Sequence, residues 1–170
     1  MFRVDDDTVD EIQAAWQRER PDVDASSIGI ITRLWRLAHH LDAARAETLA
    51  ALGTDASTLD ALATLRRSGP PYRLTAGEMR RRSLVTAGAI SQRLDKLEEA
   101  GLVCRQRDSN DRRIIHISLT PQGRRLVDRV FAAIMEQEQE LLRSLTGPER
   151  DRLEPLLKRW LSAFERNTGP

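Results

Sequence analysis

Two adjacent arginines, Arg112 and Arg113, lie in a short charged segment, DSNDRR at 108–113, between two strand-like stretches. Guanidinium groups bind phosphate and enter narrow grooves of nucleic acid, where the negative potential is strongest. Asp111 stands beside them and can restrict one of the two side chains through an ion pair. The pattern therefore predicts a hairpin with a basic tip that contacts a polyanion, although a solvated surface hairpin is an equally open interpretation of the tip alone.

Three further arginines, at 80–82, are consecutive and have no acid among them, which predicts contacts with phosphate groups. They precede a segment of small or hydrogen-bonding side chains that suit the edges of bases. The predicted DNA-binding residues are Arg80, Arg81, Arg82, Thr86, Ala87, Ala89, Ser91, Gln92, Arg93, Arg112 and Arg113.

The composition of the chain limits the classes of function that are open to it. The formal net charge of the 170 residues is +1, so attraction to a polyanion must come from a local patch. The single cysteine, Cys104, excludes an internal disulfide framework, and we expect it to be buried by packing. No apolar stretch is long enough for a signal peptide or a bilayer span, so we expect a cytoplasmic protein without a membrane partner.

Residues that support enzymatic or metal chemistry do not form a recognisable pattern. His39, His40 and His116 have no companion cysteine or carboxylate at the spacing of a metal site. No nucleophile motif, phosphate-binding loop or pair of catalytic acids stands out either. We therefore expect no metal, no cofactor and no enzymatic activity.

The helices that position the basic residues can be predicted from apolar spacing. Val9, Ile12 and Trp16 are three and four residues apart, which predicts a short helix that ends near the first proline. The same criterion predicts a helix of about 25 residues from 28 onwards and another over about 58–67.

The middle of the chain follows the order of a winged helix. Thr75 and Glu78 form a capping box that begins a short helix, and a second helix runs from Thr86 to Gly101 after a tight break. A two-stranded hairpin, Leu102 to Arg107 and Arg112 to Leu119, comes next. In a winged helix the second helix enters the major groove, and the hairpin reaches an adjacent minor groove.

Two more helices are predicted after the hairpin, one beginning at Thr120 and one at a second capping box over 146–149. Pro155 should bend the last helix or put its first turn out of register. A single chain has too little hydrophobic core to cover the apolar side chains of this last helix. A partner subunit is therefore expected to bury them. These side chains include Trp160, Leu161 and Phe164.

The segment LTAGEMRRRSLVTAGAISQRLDKLEEAGLVCRQRDSNDRRIIHISLTPQGRRLV resembles the DNA-binding core of the MarR family of bacterial transcription regulators. The elements LxxLEEAGLV, DRR and LTPQG carry the resemblance, which covers about Leu49 to Val130. It implies a mainly α fold with a small β-wing, and an obligate homodimer on palindromic double-stranded DNA, usually a repressor released by a small ligand. The implied segments are an extra N-terminal helix at 1–22, a dimerisation helix at 23–57, a winged helix-turn-helix domain at 58–119 and C-terminal dimerisation helices at 120–170.

Three further features are an extra N-terminal helix and linker, VDEIQAAWQRERPDVDASSIGIITRLWRLA, the pair Asp60 and Arg67 in LDALATLRRSGPPYRLT, and Arg93 at the edge of the buried seam. They resemble the urate-responsive subgroup of this family, which includes the PecS, HucR and MftR regulators. The resemblance implies a ligand site made of Trp16, Asp60, Arg67 and Arg93. A planar anion such as urate would stack near Trp16 and bind Arg67, while its charge repels Asp60 and disturbs Arg93 on the DNA-reading helix. Asp60 and Arg67, seven residues apart, lie on one helix face and about 10 Å apart along its axis.

Plainer interpretations of these four residues stay open at this point. Trp16 can be a core residue, Asp60 and Arg67 an ordinary surface pair, and Arg93 a partner of Asp60 without any ligand. The alternative for the whole protein is a winged-helix interaction module, whose basic face meets an acidic protein and does not bind DNA in a sequence-specific manner.

Overall fold

The computed structural model describes residues 7–82, 87–109 and 111–167, and the side chains of these residues except at 87–91 and 167. The fold in these ranges is mainly helical with one small antiparallel sheet. The elements are α1 (Thr8–Glu19), α2 (Ile28–Ala51), α3 (Ala56–Arg67), β1 (Arg73–Thr75), α4 (Ala76–Arg82), α5 (Ala87–Glu99), β2 (Val103–Arg107), β3 (Ile115–Leu119), α6 (Pro121–Leu141), a 3-10 turn (Leu142–Ser144) and α7 (Gly147–Asn167).

The first three helices form where the apolar spacing predicts them. Asp7 caps α1 by accepting hydrogen bonds from the backbone of its first turn. Helix α2 ends just before Gly53, which adopts a φ of 66° that favours glycine. Helix α3 begins earlier than the predicted Thr58, because the side chain of Asp55 accepts from two backbone N–H groups and caps the helix there.

The sheet has three strands in the order β1-β3-β2, so the prediction of a two-stranded hairpin was incomplete. Strand β1 was missed because three residues directly before a capping box are too few to show an alternating pattern. Strand β3 begins at Ile115, later than the predicted Arg112, because Arg112 and Arg113 belong to the turn of the hairpin. In register, Ile117 faces Leu74 on one side and Arg105 on the other.

Cys104 is half-buried in β2, whereas the sequence predicted a cysteine buried by packing. Strand β2 lies at the edge of the sheet and has a neighbouring strand on one side only, so the thiol opposite Ser118 stays partly exposed. Among the described residues, no group of three or more histidine, cysteine or acidic side chains is arranged to hold a metal ion.

The hydrophobic core lies between helices α3, α5 and α6 and the sheet. Helix α6 approaches the start of the hairpin so closely that a Cβ built on Gly123 would lie 2.0 Å from the carbonyl oxygen of Leu102. Thr120 caps α6 and its hydroxyl also donates to the carbonyl oxygen of Gly101, 2.7 Å away. Helix α6 is therefore attached directly to the winged-helix core. Fully buried side chains include Leu62, Leu65, Met79, Val103, Ile117, Val127 and Val130.

A second region, made of α2 and α7, leaves its apolar side chains uncovered in the single chain. Every residue at 35–43 in α2 is exposed, and Trp35 is exposed to 74%. Leu161 and Phe164 of α7 are exposed to 59% and 58%, as the sequence predicted, whereas Trp160 is half-buried, with its ring 6.1 Å from that of Phe164. Helix α7 continues through Pro155. None of the helices in the described ranges is long and apolar enough to cross a membrane.

Candidate nucleic-acid interface and effector site

Helix α4 carries three of the predicted arginines and begins at the predicted capping box. The backbone N–H of Thr75 donates to Glu78 Oε2 at 2.8 Å, and the backbone N–H of Glu78 donates to Thr75 Oγ1 at 3.2 Å. The bond from the Thr75 backbone, with Arg81 and Arg82 nearby, lowers the pKa of Glu78, so its carboxylate stays ionised. The side chains at 80–82 are all exposed and are available to phosphate groups.

Helix α5, the second helix of the pair, is joined to the hairpin by Arg105 of β2. Arg105 Nη1 lies 2.6 Å from Asp95 Oδ1, and its backbone N–H donates to Glu98 Oε1 at 3.0 Å. Sequence analysis missed this contact. The sequence does contain a signal for it, because Asp95 and Glu98 are acids three residues apart on the polar face of α5. It does not show which of several arginines pairs with them.

The tip of the hairpin is held by short hydrogen bonds among its own residues. The backbone N–H of Arg113 donates to Asp111 Oδ1 at 3.0 Å and its Nε donates to the same oxygen at 3.1 Å, which confirms the predicted ion pair. This side-chain bond lowers the pKa of Asp111. Asp108 joins the tip to the sheet, because it accepts from the backbone of Asp111 and its Oδ2 lies 2.9 Å from His116 Nε2.

These contacts leave both guanidinium groups of the tip on the surface, and the Arg113 side chain is exposed to 92%. The tip is therefore a preorganised basic projection. Gln92 on α5 is exposed and Arg93 is half-buried at the edge of the core. Thr86 lies outside the described residues, as do the side chains of Ala87, Ala89 and Ser91.

The four predicted ligand residues do not come together in one chain. Trp16 is exposed to 54%, so the alternative that it is simply a core residue is wrong. It lines a small cleft of about 260 Å³ beside the start of α2. Arg67 is exposed and lines a different cleft of about 300 Å³ between α3 and α6, together with Phe131.

Asp60 and Arg93 each keep a buried polar atom without a protein partner. These atoms are Asp60 Oδ2 and Arg93 Nη1, and no ion pair within 4.0 Å joins the two residues, so the alternative that they simply pair is not observed. Leaving such a group unpaired in a folded protein costs about 1–3 kcal/mol. The two unpaired groups, on α3 and α5, belong to side chains of opposite charge. They make this part of the winged-helix core suited to a polar ligand.

The comparisons with known proteins agree with the observed fold. A family model described as MarR family matches residues 52–114. The chain is similar to the HTH-type transcriptional regulator PecS of Dickeya dadantii, with 33% identity over 151 residues that cover 89% of this chain and 91% of PecS. It is also 31% identical to the HTH-type transcriptional repressor Rv2887 of Mycobacterium tuberculosis, over 68% of this chain and 83% of that protein.

One solved structure relates the fold to DNA directly. The chain superimposes on a mutant MarR from E. coli complexed with operator DNA, with a TM-score of 0.63 and 29% identity. The match covers 79% of this chain and 97% of that protein.

Proposed function

The chain belongs to the MarR family of DNA-binding transcription regulators, and on that premise we propose that it is a repressor released from a palindromic operator by a small anionic ligand. The observation that carries the proposal is the pair of exposed basic surfaces, on α4 and at the hairpin tip, which come before and after α5 in the chain. Regulators of this family are dimers that bind DNA, and the relatives are regulators and not enzymes. We expect the protein to act in the cytoplasm, where bacterial DNA lies.

The proposed contacts with DNA follow from the geometry of the winged helix. Helix α5 enters the major groove with Gln92 toward the bases, α4 contacts phosphates, and Arg112 and Arg113 enter the adjacent minor groove. A symmetric dimer places two such units about one helical turn apart, which requires a palindromic site. The repressor named among the relatives and the operator complex support this arrangement.

Footprinting on the DNA that flanks the gene tests the DNA-binding part of the proposal. We expect protection of two symmetric half-sites and a saturable gel shift that random competitor DNA does not remove. A protein that gives no sequence-selective shift under these conditions would instead be the interaction module that binds an acidic partner.

Arg105 is expected to act by holding the hairpin against α5. Replacing it with alanine should weaken operator binding by about fivefold to tenfold, because two DNA-reading elements lose their fixed relation. The Asp95→Ala variant separates this role from a direct phosphate contact. It should also weaken binding if the ion pair positions the hairpin, whereas loss of an acid beside a simple phosphate contact would strengthen binding. Fluorescence anisotropy titration measures both variants.

The ligand-binding part of the proposal rests on Arg67 and on the two buried unpaired atoms. An anion such as urate would bind the guanidinium group of Arg67 and repel the carboxylate of Asp60, and Arg93 would transmit the change to α5. The ligand releases DNA only if it binds one conformation of the dimer more tightly than the other. The favoured conformation must hold the two DNA-binding units at a spacing that does not fit the operator. Trp16 supplies an aromatic face for a planar ring.

Calorimetry with urate tests the ligand site directly. We expect saturable binding to the wild-type protein and at least a tenfold loss of affinity in Arg67→Ala, because a charged hydrogen bond is removed. Arg143→Ala is the control, since Arg143 is exposed and pairs only locally with Glu140. Equal heats from wild type and Arg67→Ala would exclude Arg67 from the site.

A further inference from the structure

A further cleft, of about 380 Å³, lies between the start of β1 and the beginning of α6. Tyr72, Leu119 and Thr120 line it on the side of the sheet, and Arg124 and Arg125 line it on the side of the helix. The backbone N–H of Leu119 donates to the carbonyl oxygen of Tyr72 at 3.1 Å, which fixes Tyr72 at the edge of the sheet. A cleft of this size suits a small-molecule ligand.

Two guanidinium groups pack against the ring of Tyr72. The Cζ atoms of Arg66, near the end of α3, and of Arg124 lie 4.8 and 5.0 Å from the centroid of the ring. Asp128 holds the same two side chains, because its Oδ1 lies 2.7 Å from Arg66 Nε and its Oδ2 lies 3.8 Å from Arg124 Nε. The ring and the carboxylate therefore hold Arg124 at the wall of the cleft before any ligand binds, which lowers the entropy cost of binding.

The positive charges of this cluster outnumber its negative charges. The single carboxylate of Asp128 pairs with both Arg66 and Arg124. Arg125 is exposed and forms no ion pair within 4.0 Å with any residue that the structure describes. Three arginines and one aspartate leave an excess of two positive charges around the cleft. Such an excess attracts a dianion more strongly than a monoanion.

Two of these arginines stand near the end of α6 where cations are least favoured. The partial positive charge of a helix is at its N-terminus, where acids are the stabilising side chains. The first five residues of α6, PQGRR at 121–125, contain no acid. Arg124 and Arg125 add to the positive potential at this end of the helix, and an anion in the cleft would lower it.

The cleft lies at the end of the winged helix that points away from DNA in the proposed complex. Tyr72 bonds Leu119 at the base of the hairpin, four residues or about 13 Å along β3 from Ile115 beside the tip. The Thr120 hydroxyl contacts the carbonyl oxygen of Gly101, which follows the end of α5, and α5 itself is about 18 Å long. Contacts with the operator therefore do not account for this group of arginines.

We therefore propose that this cleft binds a phosphorylated small molecule, as a second ligand besides the effector. A phosphate monoester is compact, carries about two negative charges at neutral pH and offers three oxygens, so Arg124 and Arg125 can both donate to it. Leu119 and Pro121 supply apolar surface for the rest of the molecule. Asp128 also lines the cleft, but its carboxylate is already paired. A ligand held in this way would link the sheet to the beginning of α6.

Nuclear magnetic resonance of the arginine side chains tests the site with inorganic phosphate as the probe. Phosphate is titrated into the full-length protein near neutral pH, at an ionic strength kept constant with sodium chloride. We expect saturable shifts of the Nε–Hε signals in wild type and at least a fivefold loss of affinity in Arg125→Ala, because a charge-assisted hydrogen bond is removed. Arg129→Ala is the matched control, since Arg129 is exposed on the same helix outside the cleft and its loss should leave phosphate binding unchanged.

Shifts that do not saturate, or equal phosphate affinities of the two variants, would overturn the proposal. Operator titrations with the same variants separate the phosphate of a small molecule from the phosphates of DNA. Both variants should bind the operator within about twofold of each other, because neither side chain reaches the duplex. Weaker operator binding by Arg125→Ala alone would assign the cleft to the DNA backbone and would also overturn the proposal. The phosphate titration uses neither operator nor urate, so its result is independent of the proposed repressor function.

Discussion

Replacing Arg112 and Arg113 together with alanine is expected to lower affinity for the operator by about a hundredfold. Each arginine in a minor groove or on a phosphate contributes electrostatic free energy, and a dimer loses four of them. The slope of log affinity against log salt should fall by roughly two to four for the same reason. Anisotropy titrations between 50 and 200 mM salt measure both quantities.

A variant with the same change in charge serves as the control. Arg20 and Arg143 are exposed arginines that pair with Asp22 and Glu140, away from the winged helix. Their double alanine variant should bind the operator within about twofold of wild type, because net charge alone acts weakly at this salt concentration. If the tip variant also binds like wild type, the hairpin does not contact DNA and α5 must account for recognition.

Local signals in the sequence were sufficient for most of the helices. The predicted length of α2 was about 25 residues and the helix has 24, because an apolar stripe and a terminal glycine mark its extent. The capping box at Thr75 and Glu78 was confirmed atom by atom. Each of these signals lies within the helix or directly beside it, so it can be recognised in a single sequence.

Features that depend on distant parts of the chain were missed or misjudged. Strand β1 forms because β3 offers it a partner more than forty residues away, and nothing in Arg73–Thr75 itself requires a strand. The bond from Arg105 to Asp95 likewise depends on how the hairpin folds back on α5. Cys104 was placed in a strand correctly, but its burial depends on β2 lying at the edge of the sheet.

The two predicted functional surfaces differ in how far residue types alone could identify them. The arginines at the hairpin tip and on α4 were identified because they are adjacent in the sequence. Residues that are adjacent in the sequence are also close together in the folded chain. The ligand residues were identified only by resemblance, because the segment around Trp16 and the lobe around Arg67 are distant in sequence. The structure places Trp16 and Arg67 in two different clefts of the chain, and the sequence does not indicate this separation.

Replacing Gly123 with alanine is expected to destabilise the protein by about 2–4 kcal/mol. The added methyl carbon would lie 2.0 Å from the carbonyl oxygen of Leu102 and 2.9 Å from its carbonyl carbon, and backbone atoms cannot rotate away as a side chain can. Helix α6 must then move off the start of the hairpin, which weakens the cap at Thr120. Urea unfolding followed by circular dichroism, at one fixed protein concentration, measures the change.

Gly147→Ala is the matched control for this prediction. Gly147 lies in the first turn of α7, and a Cβ built there meets no atom within 4 Å. The control should therefore change the free energy of unfolding by less than about 1 kcal/mol, or raise it slightly, because alanine favours the helix over the unfolded chain. Equal stability of the two variants would mean that α6 does not pack on Leu102 at this distance.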